Sequence, residues 1–125
     1  MLFSNQNYRF LINIKRSICN TYIANMKKKI MVDMSSTLIH HGHIRLIKKA
    51  KKYGDLIIGL TTDKQIKKYK GYFPELNYKF RKEILSEIRG VNKVVPSNWL
   101  ITQKFLDKHK IDILISGGDY KKRNF

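Results

Sequence analysis

The sequence predicts an α/β fold in three layers, with a mostly parallel sheet covered by helices on both faces. Short apolar runs alternate along the chain with longer segments in which apolar residues recur at helical spacing. Turn-forming or helix-capping residues separate the two kinds of segment. Strands that alternate with helices are typical of parallel sheets, and such sheets bind ligands beyond the carboxyl ends of their strands.

The first half of the pattern begins with the apolar run 30–32, which predicts a buried strand. After a polar loop, residues 43–53 carry apolar side chains near one helical face and lysines mostly outside it. Gly54 stands where a glycine commonly ends a helix. Residues 56–60 predict a second strand, and residues 62–68 begin with a threonine and an aspartate that can cap a short helix.

The second half repeats this alternation. Residues 70–77 contain a glycine and a proline and predict a loop. Helical spacing follows over 78–88, then a strand over 91–95, a helix over 102–109 and a fourth strand over 113–115. The core side of the third helix is predicted to consist of Phe80, Ile84, Leu85 and Ile88.

Composition limits the class of protein. A chain of 125 residues fits one domain, and no apolar run reaches the 18 or more residues of a membrane span. The single cysteine, Cys19, excludes an internal disulfide framework and a cysteine-based zinc site. We therefore expect a cytoplasmic protein that has no membrane contact.

The net charge is strongly positive, because 26 lysines and arginines face nine acids, giving +17. Such a charge attracts anions, including nucleotides and nucleic acids. Lysine, isoleucine, asparagine and tyrosine all have AT-rich codons, and genome bias is the explanation that we favour for most of the charge. A basic nucleic-acid-binding protein is the alternative that we rank last, since no recognised nucleic-acid motif supports it.

The first 25 residues differ from the remainder because they contain no acid and several basic residues. An organellar targeting peptide is one interpretation of this composition. The run that begins at Met26 looks like a natural start, so we favour an upstream extension over residues 1–25. We expect this extension to be disordered or outside the fold, and residues 26–125 to form the functional domain.

The residues that suggest chemistry are His40-His41-Gly42-His43, between a predicted strand and a predicted helix. Two imidazoles three positions apart at a helix start can converge on one phosphate, where free N–H groups also favour anions. Gly42 leaves room for a phosphate to approach the backbone. A metal site and a plain histidine-rich loop are alternatives; a metal would need further ligands, and Asp33 is the only candidate nearby. We predict no protein-held metal.

The stretch 34–43 resembles the HxGH signature of the cytidylyltransferase-like superfamily. It is most similar to the cytidylyltransferases of phosphonate metabolism, and then to those that use glycerol 3-phosphate or ethanolamine phosphate. The resemblance covers about residues 29–120, and several ordered motifs are more specific than any one of them. Besides the histidine motif, it includes Thr62-Asp63, Tyr69-Lys70-Gly71, Phe80-Arg81-Lys82-Glu83-Ile84-Leu85, Val91-Asn92-Lys93-Val94-Val95-Pro96 and Gly117-Gly118-Asp119-Tyr120.

This resemblance implies a Rossmann-like fold and an enzyme that transfers CMP from CTP to a small phosphate- or phosphonate-bearing acceptor, with Mg²⁺ on the triphosphate. The implied partners are CTP or ATP, the acceptor and a second copy of the chain in a homodimer. The implied catalytic residues are His40, His43 and Lys70. Residues implied to contact the nucleotide are Met34, Ser35, Gly42, Thr62, Asp63 and Asp119. Arg81 and Arg45 are implied to bind the phosphate of the acceptor.

Three departures from the family pattern leave alternatives open. Thr37 stands where the family commonly has an aspartate. Gly118 stands where the cytidylyltransferases often have the first aspartate of an Asp-Asp pair. The Gly-Gly-Asp-Tyr sequence instead resembles the heptose adenylyltransferases, so ATP is an alternative donor. The chain also ends before a Ser/Thr-rich segment that binds the triphosphate in the family, so we expect the domain to be truncated at its carboxyl end. A remnant that binds nucleotide without turnover is a further alternative.

Trp99 is suited to base stacking, but we favour a core or lid role.

Overall fold

The computed structural model describes residues 2–5, 8–12 and 28–116 of the chain, and the side chains of residues 28–115. Its strands are β1 (Leu2–Asn5), β2 (Tyr8–Ile12), β3 (Lys28–Met34), β4 (Gly54–Thr61), β5 (Val91–Ser97) and β6 (Ile113–Ser116). Its helices are α1 (His41–Ala50), α2 (Asp63–Lys70), α3 (Tyr78–Ser86) and α4 (Gln103–Lys108), with a 3₁₀ turn at Lys51–Tyr53. None of the described helices has the length and apolar character that a membrane span needs.

The strands form one sheet in the order β1-β2-β6-β3-β4-β5. The four strands β6, β3, β4 and β5 are parallel, whereas β2 pairs antiparallel with both β1 and β6. Alternate side chains of β3 enter different apolar clusters: Ile30 and Val32 pack with α1 and α3, and Met31 packs with α4. Helices therefore cover both faces, and the predicted Rossmann-like three-layer fold is confirmed.

The core side of α3 differs from the prediction. Phe80 and Ile84 are 49% and 42% exposed, whereas Arg81 and Leu85 are fully buried. Arg81 and Leu85 lie one helical turn apart, as do Phe80 and Ile84. The buried face of α3 is therefore displaced by one residue from the face that carries Phe80 and Ile84. An arginine can occupy this buried face because its guanidinium is paired with a carboxylate, as described below.

The amino-terminal segment also differs from the expectation that residues 1–25 lie outside the fold. Residues 2–5 and 8–12 form β1 and β2, which extend the sheet beyond β6. An edge strand presents unpaired backbone N–H and C=O groups, and β2 pairs with those of β6 from Ile113 to Ser116. Part of the segment is therefore built into the sheet.

The carboxyl ends of β3, β4 and β5 meet at one edge of the sheet, where hydrogen bonds join them. The Thr61 hydroxyl at the end of β4 donates to the carbonyl of Met34 over 3.4 Å. The Thr62 N–H donates to the carbonyl of Ser97, the last residue of β5, over 3.2 Å. Helices α1 and α2 begin at this edge, so the residues that connect strands to helices are brought together there.

Candidate active site

The turn between β3 and α1 is closed by two histidines that cap the helix reciprocally. The Nδ1 atom of His40, the N-cap residue, accepts from the N–H of Gly42 over 3.0 Å. The Nδ1 atom of His43 accepts in turn from the N–H of His40 over 3.1 Å. The two rings lie with their centroids 4.1 Å apart. The HxGH spacing is therefore a local capping device, analogous to the capping box that Ser/Thr and Glu form elsewhere.

This capping arrangement fixes the tautomer of the neutral rings. A nitrogen that accepts a hydrogen bond carries no proton, so neutral His40 and His43 hold their proton on Nε2. Each ring then has an Nε2–H donor on the side opposite the cap. The pair can therefore supply two adjacent donors to an anion while it still closes the helix end.

Part of the predicted anion site is used by the chain itself. We expected free N–H groups at the start of α1, but the N–H of Gly42 donates to His40 Nδ1 and the N–H of His43 donates to the His40 carbonyl over 3.0 Å. Those two backbone groups are therefore not the free anion donors that we expected. His41 is exposed, and its ring centroid lies 5.6 Å from that of His40.

Gly42 has a steric role that the sequence did not reveal. A Cβ atom at this position would lie 2.8 Å from Cε1 and 3.0 Å from Nδ1 of His40. The His40 ring folds over the helix start only because residue 42 has no side chain. The glycine of the motif therefore fixes the orientation of the first histidine, in addition to any space that it leaves for a ligand.

Lys70, the last residue of α2, contacts the loop that follows β3. Its Nζ donates to the Ser35 hydroxyl over 3.3 Å, which joins residues 35 positions apart in sequence. Ser35 directly follows β3 and belongs to the segment that leads to His40. Gly71, with φ of 82°, caps the helix in the left-handed conformation and ends it at Lys70. The structure thus brings Lys70 to the loop that precedes the histidine pair.

Arg81 occupies a position different from the one expected of a phosphate ligand. Its side chain is 0% exposed, and it donates to the Ser35 carbonyl at 2.6 Å, the Thr61 carbonyl at 3.0 Å and the Leu76 carbonyl at 2.9 Å. A fourth donation, to Asp63 Oδ1 at 2.6 Å, forms a salt bridge. Four of the five N–H groups of the guanidinium are therefore used inside the protein. This geometry is that of a buried tie between strand ends and helix starts, and it does not support contact with a substrate phosphate.

The other residues predicted to contact the nucleotide or the acceptor have different structural roles. The Thr62 hydroxyl caps α2 by accepting from the N–H of Gln65, and Asp63 is occupied by Arg81 and by the N–H of Tyr78. The Met34 side chain lies in the core, so only its backbone faces the edge. Arg45 is exposed on α1. Asp119 lies outside the residues that the structure describes, as does Gly118.

Known proteins resemble this chain over most of its length. The family model described as cytidylyltransferase-like matches residues 22–123. Glycerol-3-phosphate cytidylyltransferase of Bacillus spizizenii is 39% identical over 97 residues, which are 75% of this chain and 74% of the relative. Ethanolamine-phosphate cytidylyltransferase of Mus musculus is 33% identical over 73% of this chain and 23% of its own. The bifunctional protein HldE of Campylobacter jejuni is 31% identical over 97% of this chain and 27% of its own.

A solved structure agrees with the fold. The lipopolysaccharide core biosynthesis protein of Thermoplasma volcanium superposes with a TM-score of 0.61 at 23% identity, covering 68% of this chain and 70% of that one. This likeness concerns the fold alone, whereas the family match spans strands β3 to β6, the histidine turn and Lys70 together. The chain belongs to the cytidylyltransferase-like family of nucleotidyltransferases.

Proposed function

We propose that the chain transfers CMP from CTP to the phosphate of a small polyol phosphate, of which glycerol 3-phosphate is the leading candidate. An oxygen of the acceptor phosphate attacks the α-phosphorus of CTP. A new P–O bond forms as the bond from the α-phosphorus to the bridging oxygen breaks, and pyrophosphate leaves with that oxygen. The products are a CDP-polyol and pyrophosphate, so no covalent enzyme intermediate is needed.

The observation that carries this proposal is the contact between Lys70 and Ser35. It places a cation at the end of α2 against the loop that leads to the two histidine donors at the start of α1. A triphosphate between them would have imidazole N–H groups on one side and an ammonium on the other. Phosphoryl transfer depends mainly on positioning and on stabilising the charge that develops in the transition state, and these are the groups that such stabilisation uses.

Two observations favour a polyol phosphate over an amino alcohol phosphate as acceptor. The glycerol-3-phosphate cytidylyltransferases are matched over about three quarters of both chains, at 39% identity in Bacillus spizizenii and 35% in Bacillus subtilis. The net charge of +17 also disfavours an acceptor that carries an ammonium, whereas it favours one whose only charge is its phosphate. A phosphonate acceptor has the same anionic chemistry and belongs in the test.

We propose that Mg²⁺ binds together with the nucleotide. Within the described part of the chain, no three His, Cys, Asp or Glu side chains form a group that could hold a metal ion. Mg²⁺ in nucleotide sites is usually held by phosphate oxygens, water and one or two carboxylates, so a dedicated protein cage is not required. We expect pyrophosphate release to need Mg²⁺ and to stop in EDTA.

Adenylyl transfer from ATP is the second candidate. It is favoured by the Gly117-Gly118-Asp119-Tyr120 sequence, which resembles the heptose adenylyltransferases, and by the match to HldE over 97% of this chain. The four residues lie outside the described part of the structure. The choice of donor is therefore an outcome of the experiment.

The test is a panel of nucleotides against acceptors with the full chain. CTP and ATP are each combined with glycerol 3-phosphate, ethanolamine phosphate and 2-aminoethylphosphonate, and pyrophosphate is measured with product mass as confirmation. We expect the largest kcat/KM for CTP with glycerol 3-phosphate. A preference for ATP would support the second candidate. Nucleotide binding by calorimetry without pyrophosphate release from any pair would contradict both and indicate a non-catalytic binding protein.

The homodimer stays a prediction, which sedimentation of the purified chain would test. The described surface does carry exposed apolar side chains that an interface could bury, among them Phe73 and Phe80. A monomer at all concentrations tested would contradict the prediction without affecting the proposed chemistry.

A further inference from the structure

We propose that Trp99 is a positioning residue whose indole ring holds the Lys70 ammonium at the β3–α1 loop before the nucleotide binds. The Nζ atom of Lys70 lies 5.6 Å from the centroid of the Trp99 ring and 3.3 Å from the Ser35 hydroxyl oxygen. The ammonium is thus held between an aromatic face and one hydrogen-bond acceptor. The functional part of this inference rests on the proposed role of Lys70 in binding the triphosphate.

The indole is itself held firmly by the helix that carries Lys70. Trp99 is 8% exposed, and its backbone N–H donates to the side-chain oxygen of Gln65 over 3.2 Å. The Tyr69 ring stacks on the indole with centroids 5.4 Å apart and an interplanar angle of 12°. Gln65, Tyr69 and Lys70 all belong to α2. The ring therefore has a fixed place relative to the end of this helix, which a positioning residue requires.

Three lysines lie near the end of α2, and the structure gives each a different partner. Lys67 donates to the carbonyl of Gly71 over 3.0 Å, and its ammonium lies 5.5 Å from the Phe73 ring centroid. The ammonium of Lys68 lies 5.3 Å from the Tyr69 ring centroid. Lys70 is the one whose described contacts are Trp99 and Ser35. Of these three lysines, Lys70 is therefore the one that the indole contacts at the β3–α1 loop.

This arrangement has a chemical consequence for anion binding. A lysine side chain is long and flexible, and a ligand that orders it loses affinity through conformational entropy. The ring and the Ser35 hydroxyl already restrict Lys70, so less entropy remains to be lost when an anion arrives. An ammonium has three N–H donors, and a cation–π contact leaves donors directed away from the ring for phosphate oxygens.

The functional test is a double-mutant cycle on kcat/KM for the nucleotide. Trp99→Leu keeps an apolar side chain but removes the aromatic face, and we expect kcat/KM to fall by about 3- to 30-fold, as typical cation–π strengths imply. Trp99→Phe should recover most of the loss, because it restores a ring. In a Lys70→Ala background, Trp99→Leu should have little further effect. Lys68→Ala is the matched control, and its kcat/KM should stay within about twofold of the wild type.

Independent, multiplicative effects of Trp99→Leu and Lys70→Ala would overturn the inference. So would a Trp99→Phe variant that folds normally yet loses as much activity as Trp99→Leu, since a ring would then be insufficient. These outcomes concern the coupling between two residues. They are distinguishable from failure of the proposed function, which would appear as absent turnover in the wild type.

A second readout does not depend on turnover. Trp99 is the single tryptophan of the chain, so its fluorescence reports the environment of this ring alone. We expect Lys70→Ala to change the emission intensity, and inorganic tripolyphosphate to change it in the wild type but not in Lys70→Ala. Identical emission and identical titrations for wild type and Lys70→Ala would overturn the contact itself, whatever reaction the chain catalyses.

Discussion

The Nη2 atom of Arg81 and the Oδ1 atom of Asp63 lie 2.6 Å apart, which links the start of α3 to the start of α2 across 18 positions of sequence. The other carboxylate oxygen of Asp63 accepts from the backbone N–H of Tyr78 over 3.0 Å. Arg81 also binds the carbonyls that follow β3 and end β4. Arg81 therefore joins the segment after β3, the end of β4 and the start of α2, which are the backbone segments around the candidate site.

Arg81→Ala should lower the free energy of unfolding substantially, because it leaves Asp63 and two buried strand-end carbonyls without their donor. Loss of one partner of a buried pair typically costs about 3–5 kcal/mol. Asp63 is 31% exposed and partly screened by water, so we expect the lower part of that range. Urea denaturation measures the change, with Arg89→Ala as an exposed control that should stay within about 0.5 kcal/mol of the wild type. Equal stability of the two variants would contradict this role.

The sequence predicted Arg81 and Asp63 as separate ligand contacts, and the structure joins them to each other. Local spacing predicts strands, helices and caps well, because those features depend on neighbouring residues. It therefore identified the histidine turn, the cap at Thr62 and the alternation of elements. It could not identify pairings between α2 and α3 or between Lys70 and Ser35, since these depend on how elements pack.

Tyr78 should make stability depend on pH in the alkaline range. Burial raises the pKa of its phenol, while the nearby Arg81 guanidinium acts to lower it. The folded state therefore keeps the proton at a pH where the unfolded state loses it. The contribution to stability is fully present below about pH 10, the usual tyrosine pKa, and is lost as pH rises through the folded-state value.

The variant that isolates this effect is Tyr78→Phe. The Tyr78 hydroxyl oxygen is buried and has no hydrogen-bond partner among the residues that the structure describes, so its removal should leave stability at pH 7 unchanged or slightly higher. Urea unfolding at pH 7 and between pH 9.5 and 11 should show a flatter alkaline decline for the variant. A loss of stability at neutral pH would mean that the hydroxyl has a stabilising contact after all.

Gly42→Ala should reduce turnover while the fold survives. The added methyl group would meet the His40 ring at 2.8 Å and displace it from the helix cap. A shift of about 1 Å in a catalytic group can cost about 10²-fold in rate, so we expect a loss of about 10- to 100-fold. Alanine is otherwise favoured over glycine inside helices, and the thermal melt should show little destabilisation. Wild-type kcat in a folded Gly42→Ala variant would contradict this steric role.

Deletion of residues 1–25 should leave cooperative unfolding intact. Both apolar clusters that cover the sheet are built from residues between Ile30 and Ile115, although β2 pairs with β6 at the edge. The sequence did not predict β1 and β2, because a strand can pair with the edge of a sheet through its backbone without a regular pattern of apolar side chains. Thermal melts of residues 26–125 and of the full chain test the prediction. A loss of the cooperative transition would show that the amino-terminal strands are needed for folding.

We propose that His40 and His43 form the phosphate-binding pair of this nucleotidyltransferase, and replacing each by alanine is the decisive test. Each variant removes a donor to developing charge, which typically costs about 10²–10³ in kcat. Nucleotide affinity in the ground state should fall much less, because the contact strengthens in the transition state. His41→Ala is the matched control on the same turn. Pyrophosphate release under identical conditions should be low for His40→Ala and His43→Ala and nearly normal for His41→Ala. If His41→Ala is the most damaging variant, or if all three remain nearly as active as the wild type, the claim is contradicted.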